Sequence, residues 1–261
     1  MQQTGLSQQS TLSRELEIHS PELASLITYP RYSEGEYSAR IKEMQALGVQ
    51  SIFLGGGKSI VNGASIAGKG CVGLVFKARL GDSLVALKVR RTDADRDSME
   101  REATLHRIAN GVGVGPEYAG HTDNLVAMEL VEGQSIGDWI RLAGSKLEFR
   151  RIARSVLDQC YSLDSAGLDH GELNRIARHV IISQSGQPFI IDFESSSTAR
   201  RVANVTAAAQ STMLYGGVAK NSGVLLTAKD KEAALASLRK YKKERNDENY
   251  HAILESLGIA F

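Results

Sequence analysis

The chain has 261 residues, 42% of them hydrophobic and 23% charged, and its 31 basic and 30 acidic residues leave a net charge of +1. That composition argues against a disordered or collagen-like chain, suits one large domain or two small ones, and confines any nucleic-acid-binding surface to local patches. The two cysteines, Cys71 and Cys160, form no CxxC pair, which argues against a thiolate zinc site or a disulfide scaffold and fits a reducing cytoplasm. The N-terminal twenty residues are polar, without the apolar core of a secretory signal. No apolar run approaches the ~18 residues of a spanning helix, so a cytoplasmic protein without a membrane partner is expected.

Residues 1–13, rich in Gln, Ser and Thr, are expected to fray. Scattered apolar positions over 16–26 enclose a Ser20-Pro21 helix start. Tyr37, Ile41, Met44 and Leu47 then recur at helical spacing up to Gly48. Residues 1–50 therefore read as a small helical region. From 51 the texture changes to short β-prone runs, 51–54, 60–61, 65–67, 72–78 and 84–89, bounded by Gly, Asn and Asp-Ser turns, which predicts an antiparallel meander. A helix over 97–109 carries Met99, Ala103, Leu105 and Ile108 on one side, and 125–130 reads as a strand. The second half has helical spacing over 135–142, 149–166 and 229–257, interrupted by a hairpin signal at 180–182 and 189–191. The pattern predicts an α+β protein with a β-rich lobe at 51–127, a mainly helical lobe at 128–261 and a cleft between them.

Gly68-Lys69-Gly70-Cys71-Val72-Gly73-Leu74-Val75 fits G-x-G-x-x-G-x-V. A β-prone run follows it rather than a helix, which disfavours a dinucleotide fold. What remains is either a plain glycine-rich hairpin or a hairpin draped over phosphates, whose missing side chains let backbone N–H groups approach the oxygens. Val85-Ala86-Leu87-Lys88 follows. A strand lysine whose neighbours face a core needs an anionic partner; nucleotide phosphates and a helix carboxylate, Glu102 in preference to Glu100, would supply it. The competing reading of Asp97, Arg101 and Glu102 is a surface charge network. The run from Leu125 through Met128 and Glu129 to Val131 and Gly133 reads as a strand leading into an acidic link. In a kinase, the backbone of Glu129 and Val131 would hold the adenine edge and Met128 would line the pocket.

Asp169-His170-Gly171-Glu172 precedes the second-half hairpin and Asp192-Phe193-Glu194 follows it. A carboxylate on the first loop can orient an attacking hydroxyl and accept its proton, and one on the second can hold Mg²⁺ against phosphates. In this order, after Gly68, Lys88 and Glu102, these motifs resemble the atypical kinases of the RIO and Bud32 type over about 52–210. More narrowly, they resemble an archaeal family of RNA kinases. The stretches Ala86 to Arg96, Gly113-Val114-Gly115-Pro116, His170-Gly171-Glu172-Leu173 and Ile191-Asp192-Phe193-Glu194 carry the narrow match.

The resemblance implies a bilobal protein-kinase-like fold and transfer of phosphate from ATP, with Mg²⁺, to an internal ribose 2′-hydroxyl of a variable-loop uridine in tRNA. It implies nucleotide binding by Gly68, Gly70, Gly73, Val75, Ala86, Lys88, Glu102, Met128, Glu129 and Val131. It makes Lys88, Glu172 and Asp192 catalytic and Asp192 a metal ligand. Three departures from ordinary protein kinases stand out. Glu172 replaces the usual Asp. The usual metal-binding Asn is Ala177, leaving His179 to take its place, to bond substrate or phosphate instead, or to be a loop residue with no ligand. Asp192-Phe193 is followed by Glu194 rather than Gly, with no Ala-Pro-Glu beyond. Without that peptide-docking segment a folded RNA or a small molecule becomes a better substrate than a peptide; a serine/threonine protein kinase and a catalytically dead ATP-binding scaffold are the alternatives. Basic clusters at Arg150, Arg151 and Arg154, at Arg200-Arg201, and from Lys229 to Arg245 are the candidate RNA surfaces, with Tyr241 as a candidate base-stacking residue.

Overall fold

The computed structural model describes residues 13–142 and 145–261, so nearly all of the stretch expected to fray lies outside the described residues. The chain is α+β and divides into two units. One comprises the described residues up to Ala103 with Tyr118–Leu130, the other Thr104–Glu117 with Val131–Phe261.

In the first unit lie β1 (Arg14–Glu17), α1 (Ala24–Ile27), α2 (Glu34–Leu47), β2 (Val49–Leu54), β3 (Ser59–Val61), β4 (Ala64–Ile66), β5 (Gly68–Lys69), β6 (Gly73–Leu80) and β7 (Ser83–Arg90). The first turn of α3 (Glu100–Asn110), β8 (Tyr118–His121) and β9 (Leu125–Glu129) complete it. Seven strands form one antiparallel sheet in the order β1-β2-β6-β7-β9-β8, with β5 paired to β6, while β3 and β4 form a separate hairpin. Strand alternation sets the two faces. Leu74, Phe76 and Ala78 of β6 and Val85, Leu87 and Val89 of β7 are buried in one cluster with Leu26, Ile27, Ile41 and Met44 from α1 and α2.

The N-terminal region, expected to be helical, also contributes a strand. The sequence Arg-Glu-Leu-Glu of β1 has little to bury. It is held as an edge by its ladder to β2 and by Glu15, which accepts from Ser51 Oγ at 2.5 Å and Arg79 Nε at 2.8 Å. Helix α3 starts at Glu100 rather than at 97, and the Met99 N–H just before it donates to Asp123 O at 2.8 Å.

The second unit continues with β10 (Gly133–Ser135), α4 (Ile136–Leu142), α5 (Lys146–Ser165), α6 (Ile176–His179), β11 (Val180–Ser183), β12 (Pro188–Ile190), α7 (Asn204–Ala209), α8 (Gly217–Asn221), α9 (Ala228–Lys243) and α10 (Asp247–Ser256). The expected hairpin is β11–β12, extended by β10 to three strands. Phe149, Val156 and Leu157 of α5 pack with Val205 of α7, Leu238 and Tyr241 of α9 and Ile253 of α10 in one core. The single helix expected over 229–257 is two. The chain leaves helical geometry at Glu244, and the Asn246 side chain caps α10 by accepting from the Asn249 N–H at 2.9 Å. Among the described residues no helix is long and apolar enough to cross a membrane.

Candidate functional site

In the first unit the strand register gathers the residues that the glycine-rich motif and the Val-Ala-Leu-Lys run singled out. Val75 lies opposite both Gly68 of β5 and Lys88 of β7, and Ala86 lies opposite Met128 of β9. Cross-strand partners share a face, as do residues two apart in a strand. Gly68, Val75, Ala86, Lys88 and Met128 therefore share the sheet face opposite the α1–α2 core. Gly73 opens β6 beside Lys88; a Cβ there would sit 3.0 Å from both Lys88 Cγ and Val89 O, so glycine leaves room for the lysine stem.

Lys88 is 4% exposed, and its Nζ donates to Glu102 Oε1 at 2.8 Å. Glu102, also buried, has its second oxygen 3.6 Å from Arg96 Nη1. Burial of opposite charges at hydrogen-bond distance gives a strong, directional pair whose members are costly to remove singly. The less favoured Glu100 instead meets His121 Nε2 at 2.5 Å. Glu129 ends β9 exposed, and Val131 belongs to the other unit.

Around the glycine-rich strands, Lys69 Nζ donates to Tyr29 Oη at 2.8 Å and lies 4.7 Å from its ring centroid. The Arg91 guanidinium lies 5.1 Å from the same ring and donates to Gly70 O at 3.2 Å. Tyr29 O in turn accepts from the Thr92 N–H at 2.9 Å. The N-terminal segment thus braces the glycine-rich hairpin, a role that sequence spacing did not reveal because the partners are 40 and more residues apart.

In the second unit His170 organises the loops on either side of the β11–β12 hairpin. Its ring is fully buried. Nε2 donates to Ile191 O at 3.0 Å, and Nδ1 accepts from the Glu172 N–H at 3.4 Å. Burial pushes its pKa down to about 4, which keeps the ring neutral and able to accept at Nδ1. Its edge meets the His179 ring at 5.4 Å and the Phe193 ring at 5.4 Å; Phe193 stacks on His106 at 5.3 Å. Gly171, with φ +88°, separates His170 from Glu172. A Cβ there would come within 2.4 Å of Arg200 Nη2 and 2.9 Å of Ser195 O.

The His170 backbone N–H is held by Asn204 Oδ1 at 2.8 Å, and Asn204 Nδ2 donates to Asp164 Oδ1 at 2.9 Å. Asp164 also accepts from the Asn204 N–H at 3.0 Å and Tyr241 Oη at 3.0 Å; its burial pushes its pKa up. These supports were invisible in sequence, apart from the adjacency of His170 to Glu172.

Glu172, His179 and Asp192 come together. Their donor atoms all lie within 4.8 Å of one another. His179 Nε2 is 3.4 Å from Glu172 Oε2 and Nδ1 is 4.0 Å from Asp192 Oδ2. The Ile191 N–H to His179 O bond at 2.9 Å pins the two loops at this point. Asp192 has φ +72°, a left-handed conformation that few residues adopt without compensation and that often marks a functional position. Two carboxylates beside an imidazole form an oxygen-rich, anionic cluster suited to a divalent cation.

The basic candidates fare differently. Tyr241 is buried against the core and is not a base-stacking surface. Arg200 Nε donates to Asp169 Oδ2 at 2.9 Å, Arg201 donates to Lys242 O, and Arg154 pairs with Asp158 at 2.9 Å. Arg239, Lys240, Lys242 and Lys243 on α9 are exposed. No family model and no curated protein matches the chain.

Proposed function

We propose that the chain is an ATP-dependent kinase of the atypical RIO and Bud32 type, with a bilobal kinase-like fold, acting on RNA. The observation that carries this is the buried Lys88–Glu102 pair on the sheet face that also holds Gly68, Val75, Ala86 and Met128. A lysine so held presents a fixed charge to the α- and β-phosphates, with Gly70 and Gly73 in the covering loop and the Glu129 and Val131 backbone at the adenine edge. Asp192 and His179 would hold Mg²⁺, which neutralises charge on the transferring phosphates when bound. The anionic donor cluster fits such an ion through its carboxylates. The imidazole fits Mg²⁺ less well.

Glu172, fixed by the His170 bond to its N–H, orients the acceptor hydroxyl and takes its proton. Catalysis on this assignment is positioning and charge stabilisation. The lack of an Ala-Pro-Glu segment after Asp192 and the exposed cations of α9 favour an RNA acceptor over a peptide. The substrate assigned by resemblance is the tRNA variable-loop uridine 2′-hydroxyl.

The test is transfer of labelled γ-phosphate from ATP to purified tRNA by the wild type and by Asp192→Ala. Label in tRNA from the wild type alone, resistant to phosphatase until the RNA is digested, supports the assignment. Label in protein and none in RNA overturns the substrate in favour of a protein kinase. No transfer to any acceptor overturns the activity.

A further inference from the structure

We propose that Glu172, His179 and Asp192 form a binding site for a first-row divalent transition ion, which the imidazole makes selective against Mg²⁺. The inference deepens the kinase assignment, resting on its placement of the nucleotide's metal at Asp192, and concerns which ion that position takes. The starting observation is His179. Its side chain is 8% exposed, yet Nδ1 makes no hydrogen bond among the described residues. A buried ring nitrogen without a partner is uncommon and needs a reason. Nδ1 lies 4.0 Å from Asp192 Oδ2, too far for a hydrogen bond.

A shared cation gives Nδ1 a partner. With metal–ligand bonds of about 2.0–2.2 Å, two donors to one ion stand about 3 Å apart at right angles and about 4.2 Å apart when opposite. The 4.0 Å separation falls inside that window, and the 4.8 Å outer limit of the cluster needs only a small turn of a carboxylate. Glu172 and Asp192 are 29% and 30% exposed at their side chains, so they have room to turn. His179 is held by its carbonyl bond to Ile191 N–H and by the ring of His170.

The donor set decides the ion. Mg²⁺ demands oxygen ligands and sheds its water reluctantly, whereas an imidazole nitrogen suits transition ions. Mn²⁺ is the weakest binder of the first-row series, which makes it the stringent probe. Three protein donors also allow binding before nucleotide arrives. One Glu172 oxygen is enough to hold the ion, leaving the second to accept from the acceptor hydroxyl.

The experiment is pulsed electron paramagnetic resonance of Mn²⁺ added to the purified full chain without nucleotide, using protein made with ordinary and with ¹⁵N-labelled histidine. The expected result is nitrogen modulation on bound Mn²⁺ that changes frequency with the label and is absent in His179→Gln. Half-displacement should need about tenfold or more excess of Mg²⁺. The labelled wild type carries the test even if His179→Gln fails to fold. Bound Mn²⁺ without histidine modulation, displacement by equimolar Mg²⁺, or no protein-bound Mn²⁺ overturns the site. Phosphate transfer without a nitrogen-coupled ion removes this inference and leaves the kinase assignment. A nitrogen-coupled ion without transfer to any acceptor does the reverse.

Discussion

The two units treat buried charge in opposite ways. In the first, Lys88 and Glu102 are opposite charges, each about 5% or less exposed at the side chain, joined at 2.8 Å. In the second, two carboxylates stand about 30% exposed beside a buried imidazole whose Nδ1 has no hydrogen-bond partner among the described residues. The first group is complete as a pair and serves to fix a lysine. The second is a concentration of negative charge that a cation completes. On the proposed kinase assignment, the fixed lysine would serve positioning and the anionic cluster charge neutralisation, the two things a phosphoryl-transfer transition state asks for.

Substitution should expose that difference. Lys88→Met and Asp192→Asn are each expected to lower phosphate transfer by about a thousandfold or more in a single-turnover assay. Their stabilities should diverge. Lys88→Met removes the cation bonded to the buried Glu102 carboxylate and should cost about 3 kcal/mol in denaturant unfolding. Asp192→Asn removes one of two neighbouring negative charges and keeps a side chain tolerated at positive φ, so its stability should stay within about 1 kcal/mol of wild type. Equal destabilisation of the two variants would remove the contrast.

Asp164 sharpens the comparison within the second unit. It accepts from Asn204 and Tyr241 and, through Asn204, holds the His170 backbone. Asp164→Ala takes the carboxylate away from the buried Asn204 N–H and Tyr241 hydroxyl and should cost about 3–5 kcal/mol of unfolding free energy. A loss under 1 kcal/mol would mean the network does not support the loop. A smaller effect is expected from Tyr29→Ala, which removes the ring beside Lys69 and Arg91 and the hydroxyl that accepts from Lys69. The KM for ATP should rise about threefold with kcat little changed, and Tyr29→Phe should recover part of the loss through its ring. The mildest test uses the thiols. Cys71 is exposed, whereas Cys160 is fully buried and its burial holds the thiol pKa well up. One thiol should react with a thiol reagent in the native protein and both after unfolding.

Much of the first unit was legible because its strands are short apolar runs bounded by turns. The alternation of 72–78 and 84–89 already assigns Val75, Ala86 and Lys88 to one side. The strand β1 was not legible: Arg-Glu-Leu-Glu has no apolar alternation, and its pairing depends on Ser51 and Arg79, far along the chain. The helix from Asn204 and the following turn through Leu214 escaped notice because nearly every position is apolar or small, so no period shows. Tyr241 was misread although its signal was present. Ala234, Leu238 and Tyr241 are spaced four and three apart, a buried stripe that the surrounding lysines and arginine obscured. The acidic members of the candidate site were found from their places either side of a hairpin. The bond from His170 to the Glu172 N–H and the bare Nδ1 of His179 depend on three-dimensional contacts that no spacing encodes.

The central proposal is an ATP-dependent phosphate transfer that needs both Lys88 and Asp192. A cycle of single-turnover γ-phosphate transfer by the wild type, Lys88→Met, Asp192→Asn and the double variant tests it most directly, because groups that serve one step lose activity non-additively. The expected result is a double variant no slower than about tenfold below the slower single variant. Losses that multiply across the cycle, or a single variant that keeps near-wild-type transfer, would contradict it.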